Sequence, residues 1–125
     1  MYADSDFILA VIKDEDWLKE SAMEVLEENR GDIETSILAL AEVVMILDRD
    51  YDIENFAPLV RDILSFCDLM YTDEETVLQA MFYIDEKNST IFDAFHAALS
   101  EGMPILSSDE FYEDIDTENK NFRNK

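Results

Sequence analysis

Four acidic residues lie within or directly beside apolar segments, where carboxylates are least expected. A buried carboxylate without a partner costs several kcal/mol, so a carboxylate such as Glu42, in the middle of an apolar run, must be paired, bound to a metal or open to a cleft. Carboxylate oxygens are preferred ligands of Mg²⁺ and Mn²⁺, and a bound ion lowers the pKa of water and so prepares it for hydrolysis. The four residues are Asp4, Glu42, Asp93 and Asp109.

Each of these residues also has an ordinary structural explanation. Glu42 interrupts an otherwise apolar run and gives the clearest signal, although a helix edge would also let it reach water or a lysine. Asp4 and Asp109 can equally be turn residues, and Asp93 can complete a capping box with Thr90. Their joint arrangement, at predicted strand ends and on predicted helices, favours a common site.

The segments that carry these residues predict an α/β sandwich with a small, mainly parallel sheet. Strands are expected near residues 2–9, 67–71 and 104–107. In an open sheet of this kind, the functional crevice lies beyond the carboxyl ends of the strands. The spacing of apolar residues predicts helices over 17–30, 37–47, 53–66, 72–83 and 91–100.

Capping residues and glycines mark the ends of these helices. Gly31 and Gly102 each follow a helical segment, as expected of a C-terminal stop. Thr72 has Glu75 three residues later, which is the capping-box pattern. The predicted caps are Asp14 or Asp16 for the helix at 17–30, Thr35-Ser36 for 37–47, Thr72 for 72–83 and Ser89-Thr90 for 91–100.

Length and composition are typical of one self-sufficient domain. The chain has 125 residues, 48% of them hydrophobic, so we expect a single domain over 1–115 and a loose polar tail over 116–125. The single Cys67 cannot form an internal disulfide, and the N-terminus lacks the pattern of a secretory signal. No segment reaches the ~20 apolar residues of a membrane span. We therefore expect a cytoplasmic protein with no membrane association.

The net charge is strongly negative. Nine Lys and Arg residues against 31 Asp and Glu residues give −22, which argues against nonspecific binding to nucleic acid or anionic membranes driven by the charge of the whole protein. Any nucleic-acid ligand would therefore need a basic partner, a local basic rim made by dimerisation, or the Lys120, Arg123 and Lys125 side chains of the tail.

The order of four short motifs resembles a PIN domain, especially the small prokaryotic VapC-type toxins of toxin–antitoxin pairs. Each motif is weak alone, whereas four in the expected order over residues 2–111 are fairly specific. The resemblance implies a PIN-like three-layer sandwich, in which a small, mainly parallel sheet is flanked by helices. The motifs are Tyr2-Ala3-Asp4-Ser5-Asp6-Phe7-Ile8-Leu9, Thr35-Ser36 through Leu40-Ala41-Glu42-Val43, Phe92-Asp93-Ala94-Phe95-His96-Ala97-Ala98 and Ile105-Leu106-Ser107-Ser108-Asp109-Glu110-Phe111.

The same resemblance implies a function and its residues. The implied protein is a metal-dependent endoribonuclease that cuts RNA, works as a homodimer and is silenced by an antitoxin protein. Its metal, Mg²⁺ or Mn²⁺, would orient an attacking water and stabilise the charge that develops on the phosphate. Carried over to this chain, the catalytic and metal-binding quartet is Asp4, Glu42, Asp93 and Asp109, supported by Ser5, Asp6 and Ser107.

Other interpretations stay open. Asp4-Ser5-Asp6 superficially matches haloacid-dehalogenase-like phosphohydrolases, in which Asp4 would be the nucleophile. A catalytically degenerate PIN-like scaffold, or an acidic module that mimics nucleic acid and occupies a basic partner, would cut nothing. His96 is interpreted as a packing or supporting residue because no second histidine or reactive partner accompanies it, and Cys67 as a small buried residue.

Overall fold

The computed structural model describes residues 1–13 and 18–107, together with the backbone of residues 119–120. Pairs of helices separate the first four strands of the described chain, as expected of an α/β fold. The strands are β1 (Tyr2–Ala3), β2 (Glu34–Ser36), β3 (Asp68–Met70), β4 (Ile105–Leu106) and β5 (Asn119–Lys120). The helices are α1 (Ser5–Ile12), α2 (Lys19–Glu28), α3 (Ile37–Asp50), α4 (Phe56–Phe66), α5 (Glu74–Lys87) and α6 (Ile91–Leu99).

The five strands form one sheet in the order β3-β2-β1-β4-β5, and all four neighbouring pairs are parallel. β1 is central, with Tyr2 opposite Glu34 of β2 on one side and Ile105 of β4 on the other. Since parallel strands run in the same direction, their carboxyl ends lie at one edge of the sheet. The predicted small parallel sheet is confirmed.

Two hydrophobic clusters cover the two faces of the sheet. Successive side chains of a strand point to opposite faces, so Ala3 and Leu106 join one cluster while Tyr2 and Ile105 join the other. The first cluster packs mainly against α1 to α4, and the second packs mainly against α5 and α6. This arrangement is the expected three-layer sandwich. None of the helices in the described part has the length and apolar character that a membrane span requires.

Several predicted helix ends are confirmed. The Ser36 side chain caps α3 by accepting the N–H of Ala39, with 3.1 Å between nitrogen and oxygen. The Thr90 side chain caps α6 in the same way. Gly31 and Gly102 both have a φ of +84°, a conformation that glycine adopts without a Cβ penalty, and each follows a helix.

The first element differs from its prediction. We expected a strand over residues 2–9, but β1 ends at Ala3 and α1 begins at Ser5. The run of apolar residues fits a buried helix as well as a buried strand, and Asp4 decides between them because its side chain accepts the N–H of Ser5 as a helix cap. Asp4 therefore follows a strand instead of starting one.

Other boundaries also differ. The cap of α5 is Asp73 and not Thr72, because the Asp73 carboxylate accepts the N–H of Thr76, and the helix continues beyond 83 to Lys87. α4 begins at Phe56, three residues later than expected. The strand β2 was not predicted.

The C-terminal tail was expected to be loose, but residues 119–120 pair with β4 as β5. The rest of the tail lies outside the described residues, as do the candidate caps Asp14 and Asp16. The division into a domain over 1–115 and a tail over 116–125 therefore stays a prediction.

Candidate metal centre

The site begins at the carboxyl ends of the two central strands. Asp4 directly follows β1 and Ser107 directly follows β4, and both are buried. The Ser107 hydroxyl lies 3.2 Å from Asp4 Oδ2 and 3.4 Å from Asp6 Oδ2, so it can donate to either carboxylate. The Asp4 Oδ1 oxygen accepts the N–H of Ser5 at 2.7 Å. Of the predicted supporting residues, Ser5 and Ser107 thus contact the Asp4 carboxylate, and Asp6 contacts Ser107.

Glu42 reaches this edge from the second turn of α3. Its position is set by the Ser36 cap, which fixes where α3 begins beside the end of β2. The Glu42 side chain is 15% exposed, so it opens to solvent on one side while facing the core on the other. The sequence leaves two explanations open for Glu42, a helix edge that reaches water and a shared site. In the structure Glu42 lies at such an edge and also contacts His96.

His96 lies between two of the predicted carboxylates. Its Nε2 atom is 3.0 Å from Glu42 Oε1 and 3.2 Å from Asp4 Oδ1, and its side chain is 1% exposed. Ligand atoms of these three residues all lie within 4.8 Å of one another. Among the residues that the structure describes, this is the group of His, Cys, Asp and Glu side chains able to hold a metal ion.

The sequence interpretation missed the central position of His96. A signal was available, because His96 follows Asp93 by three residues and side chains with this spacing share a helix face. A lone histidine among apolar residues nevertheless favours a packing role. Its contacts with Asp4 and Glu42 span 92 and 54 positions of sequence, so local patterns do not reveal them.

The second nitrogen of His96 belongs to a buried hydrogen-bonded chain. His96 Nδ1 lies 2.6 Å from the Tyr2 hydroxyl, which lies 2.8 Å from Ser36 Oγ. Tyr2 and Ser36 are fully buried. This chain connects β1, the start of α3 and the middle of α6, and so it fixes the three elements that carry Asp4, Glu42 and His96.

The carboxylates and the imidazole stabilise one another's charged forms. Burial alone would raise the pKa of Glu42, but hydrogen bonds from His96 and Ser5 together with the His96 charge hold it below its usual value. Burial opposes protonation of His96, yet the charges of Asp4 and Glu42 and the hydrogen bond with Glu42 outweigh burial and raise the His96 pKa. Burial also raises the pKa of the Tyr2 hydroxyl, which therefore stays protonated.

Of the remaining two members of the predicted quartet, only Asp93 lies within the described residues. Asp93 is half-buried in the first turn of α6, and its negative charge is one of those that raise the His96 pKa. It is close enough to influence the site, but it is not in the group whose ligand atoms converge within 4.8 Å. Asp109 lies outside the described residues, so its membership stays a prediction.

The donor set suits a divalent cation. Two carboxylates and one imidazole supply oxygen and nitrogen atoms at the carboxyl edge of the sheet, and hard dications take carboxylate ligands. The carboxylates of Asp4 and Glu42 lie close together and repel each other. A bound cation would offset this repulsion. The residues present therefore fit a metal of the type that the resemblance implies.

The protein is an open, parallel α/β domain with acidic side chains at the carboxyl ends of its central strands, where such sheets carry their functional groups. Comparison with protein families shows to which family it belongs. The PIN domain family model matches residues 1–118, so the chain belongs to the PIN domain family, and the resemblance seen in the sequence is confirmed. No curated protein sequence matches the chain significantly.

Solved structures share this fold. A toxin–antitoxin complex from Klebsiella pneumoniae aligns with a TM-score of 0.70 at 13% identity, covering 87% of this chain and 86% of that chain. FitAcB from Neisseria gonorrhoeae aligns with a TM-score of 0.70 at 13% identity and covers 99% of both chains. FitAB bound to an IR36 DNA fragment gives 0.69 at 13% identity, covering 97% of this chain and 94% of that chain.

Proposed function

We propose that this PIN domain protein is a metal-dependent endoribonuclease that hydrolyses RNA phosphodiester bonds. The observation that supports the proposal most directly is the convergence of Asp4, Glu42 and His96 ligand atoms within 4.8 Å at the carboxyl edge of a parallel sheet. PIN domains are typically nucleases, and this edge is where open α/β sheets carry their functional groups.

Asp4 and Glu42 are the residues that would hold the ion, which is Mg²⁺ or Mn²⁺ in this proposal. When bound, the ion supplies an activated water and stabilises the charge that develops on the phosphate. The Ser5 N–H and the Ser107 hydroxyl hold the Asp4 carboxylate in place through hydrogen bonds. Asp93, at the half-buried start of α6, adds negative charge beside the site, and we assign Asp109 to the same quartet.

The test is RNA cleavage by the purified full-length chain. We expect chelator to abolish cleavage of a single-stranded RNA and Mn²⁺ or Mg²⁺ to restore it. Glu42→Gln should lose at least about a hundredfold of the rate, since a metal ligand is replaced by a neutral amide. Glu54→Gln is the matched control because it makes the same chemical change at an exposed position. Metal-independent cleavage, or equal rates in the two variants, would refute the proposal.

We further propose that the protein is the toxin of a toxin–antitoxin pair in the cytoplasm. The fold neighbour from Klebsiella pneumoniae supports this context because it is a toxin–antitoxin complex. Expression of the wild-type chain should arrest growth, and the Glu42→Gln variant should not. A cognate antitoxin, sought as a small open reading frame beside the gene, should relieve the arrest when it is coexpressed. An arrest that Glu42→Gln also causes would contradict this role.

A homodimer is part of the same proposal. The exposed side chains Val77, Leu78, Met81 and Phe82 form one apolar stripe along α5, since residues at this spacing share a helix face. We propose that this stripe packs against the same stripe of a second copy. Light scattering should give a dimer mass for the wild type and a monomer mass for Leu78→Glu. Leu64→Glu, at an exposed apolar position on α4, is the control and should stay dimeric.

A second candidate function is a catalytically degenerate PIN domain that serves as an acidic interaction module. The net charge of −22 favours it, because such a chain repels phosphate and attracts a basic partner. A stable complex with a basic protein, in the absence of metal-dependent cleavage, would support this function over the nuclease. Metal-dependent cleavage that Glu42→Gln abolishes would exclude it.

A further inference from the structure

His96 has a geometry that packing alone does not require. Its Nε2 atom faces Glu42 Oε1 at 3.0 Å and Asp4 Oδ1 at 3.2 Å simultaneously. Neighbouring ligands of an octahedral ion with bonds of about 2.1 Å lie about 3 Å apart, so both distances match the edges of such a coordination shell. The imidazole nitrogen thus has the position of a ligand relative to two carboxylates that are themselves candidate ligands.

The other ring nitrogen is held as a metal-bound histidine requires. Ligating histidines hydrogen-bond through their second nitrogen, which fixes the tautomer and the orientation of the ring. Here Nδ1 lies 2.6 Å from the Tyr2 hydroxyl, a group kept neutral by burial. With the proton on Nδ1, the imidazole donates to Tyr2, and Tyr2 in turn donates to Ser36 Oγ. When a metal is bound, Nε2 would direct its lone pair at the ion, in place of the hydrogen bond that it makes with Glu42 in the metal-free protein.

We propose that His96 Nε2 is a metal ligand together with Asp4 and Glu42, and that this imidazole makes the site favour a first-row transition-metal dication such as Mn²⁺ over Mg²⁺. Mg²⁺ prefers an all-oxygen shell, whereas transition-metal dications accept imidazole nitrogen as well as carboxylate oxygen. The inference rests on the metal site of the proposed function and adds the identity of one ligand and the metal preference that follows from it.

The competing arrangement is a permanently protonated His96 that occupies the space of the metal and donates to both carboxylates. It would make the site a buried ion cluster with its own internal cation. The two arrangements differ in one observable, because only the first brings a nitrogen atom into direct contact with a bound metal.

Pulsed electron paramagnetic resonance of the full-length protein loaded with Mn²⁺ tests this directly. We expect the hyperfine coupling of a directly bound imidazole nitrogen in the wild type. His96→Gln should lose this coupling and at least about tenfold of the preference for Mn²⁺ over Mg²⁺, measured by displacement of bound Mn²⁺ with Mg²⁺. Tyr2→Phe keeps the ligand but removes the group that orients it, so the coupling should persist while Mn²⁺ affinity falls by about tenfold.

The outcomes separate this inference from the function on which it rests. Saturable Mn²⁺ binding without nitrogen coupling would overturn the role of His96 and leave the metal centre intact. A folded protein that binds no Mn²⁺ would overturn both. Equal wild-type affinities for Mn²⁺ and Mg²⁺ would overturn the proposed preference. If His96→Gln does not fold, the wild-type spectrum and the Tyr2→Phe variant decide the question.

Discussion

Replacing Glu42 by glutamine should remove most of the stabilisation that a divalent metal gives to the folded protein. A ligand that binds only the folded state at a hundred times its dissociation constant adds about 2.7 kcal/mol to the free energy of unfolding. For 125 residues, an unfolding entropy of about 2.1 cal/mol/K per residue gives about 0.26 kcal/mol/K. The wild-type melting temperature should therefore rise by about 10 °C on saturation with Mn²⁺.

The variant also changes the metal-free protein, and this effect must be measured separately. Glu42→Gln keeps an oxygen that can accept a hydrogen bond from His96 Nε2 but removes the charge. A hydrogen bond involving a charged group contributes about 1.5–3 kcal/mol, so the metal-free variant should melt several degrees below the wild type. The decisive quantity is the additional rise with metal, taken from each protein's own metal-free baseline.

The assay is a thermal melt followed by circular dichroism, first with chelator and then over a Mn²⁺ series at fixed ionic strength. Fixed ionic strength matters because a chain of net charge −22 is stabilised by screening alone. The Glu54→Gln control should follow the wild type throughout. Parallel curves for the wild type and Glu42→Gln would refute the reasoning, since screening would then account for the whole metal effect.

Three further predictions concern the fold. Burial raises the pKa of Cys67 to about 12, so its thiol should resist Ellman's reagent at about pH 8 in the folded protein. It should react after unfolding in guanidinium, and rapid reaction in the folded state would contradict its burial. Ile63→Ala should cost about 2–5 kcal/mol in urea unfolding because Ile63 is fully buried, whereas Ile91→Ala at an exposed site should cost much less. The hydrogen bonds from Thr76 lower the pKa of Asp73, so its capping contribution is fully present above the unfolded pKa and is lost as the pH falls through the lower, folded pKa. Asp73→Ala should therefore destabilise the protein at neutral pH, and the difference from the wild type should shrink as the pH falls below the ordinary aspartate range, which urea melts over a pH series will test.

The predictable parts of the fold are those with a local signal. Ser36 and Thr90 each precede an apolar helix, and a capping side chain acts within three residues of itself. The secondary structure of the segment after Asp4 is not predictable in this way, because its short apolar run shows neither the period of a helix nor that of a strand. The strand β2 has only three residues, and it exists through pairing with β1 and β3, which no local pattern announces.

The site residues also differ in whether a local sequence signal reveals them. Carboxylates in apolar surroundings can be recognised from sequence because burial of a charge needs an explanation wherever it occurs. This reasoning selected Asp4 and Glu42, and the structure brings them together. It did not select His96, since a neutral imidazole can be buried at modest cost and its partners are defined by the tertiary fold. The role of Asp109 still rests on sequence alone.

The acidity of the chain and the chemistry of the site are connected. Asp4 and Glu42 place two negative charges where a phosphate would have to approach, in a protein that already carries a net charge of −22. A bound dication cancels these two charges locally, so a metal in this proposal has an electrostatic task in addition to the activation of water. The ion does not cancel the charge of the surrounding surface. Two of the cationic side chains, Arg30 and Arg49, already form ion pairs with Glu27 and Asp50. In the proposed nuclease, a metal would therefore let the phosphate approach the site, and a basic partner, a basic rim made by dimerisation, or the Lys120, Arg123 and Lys125 side chains would bring the RNA there.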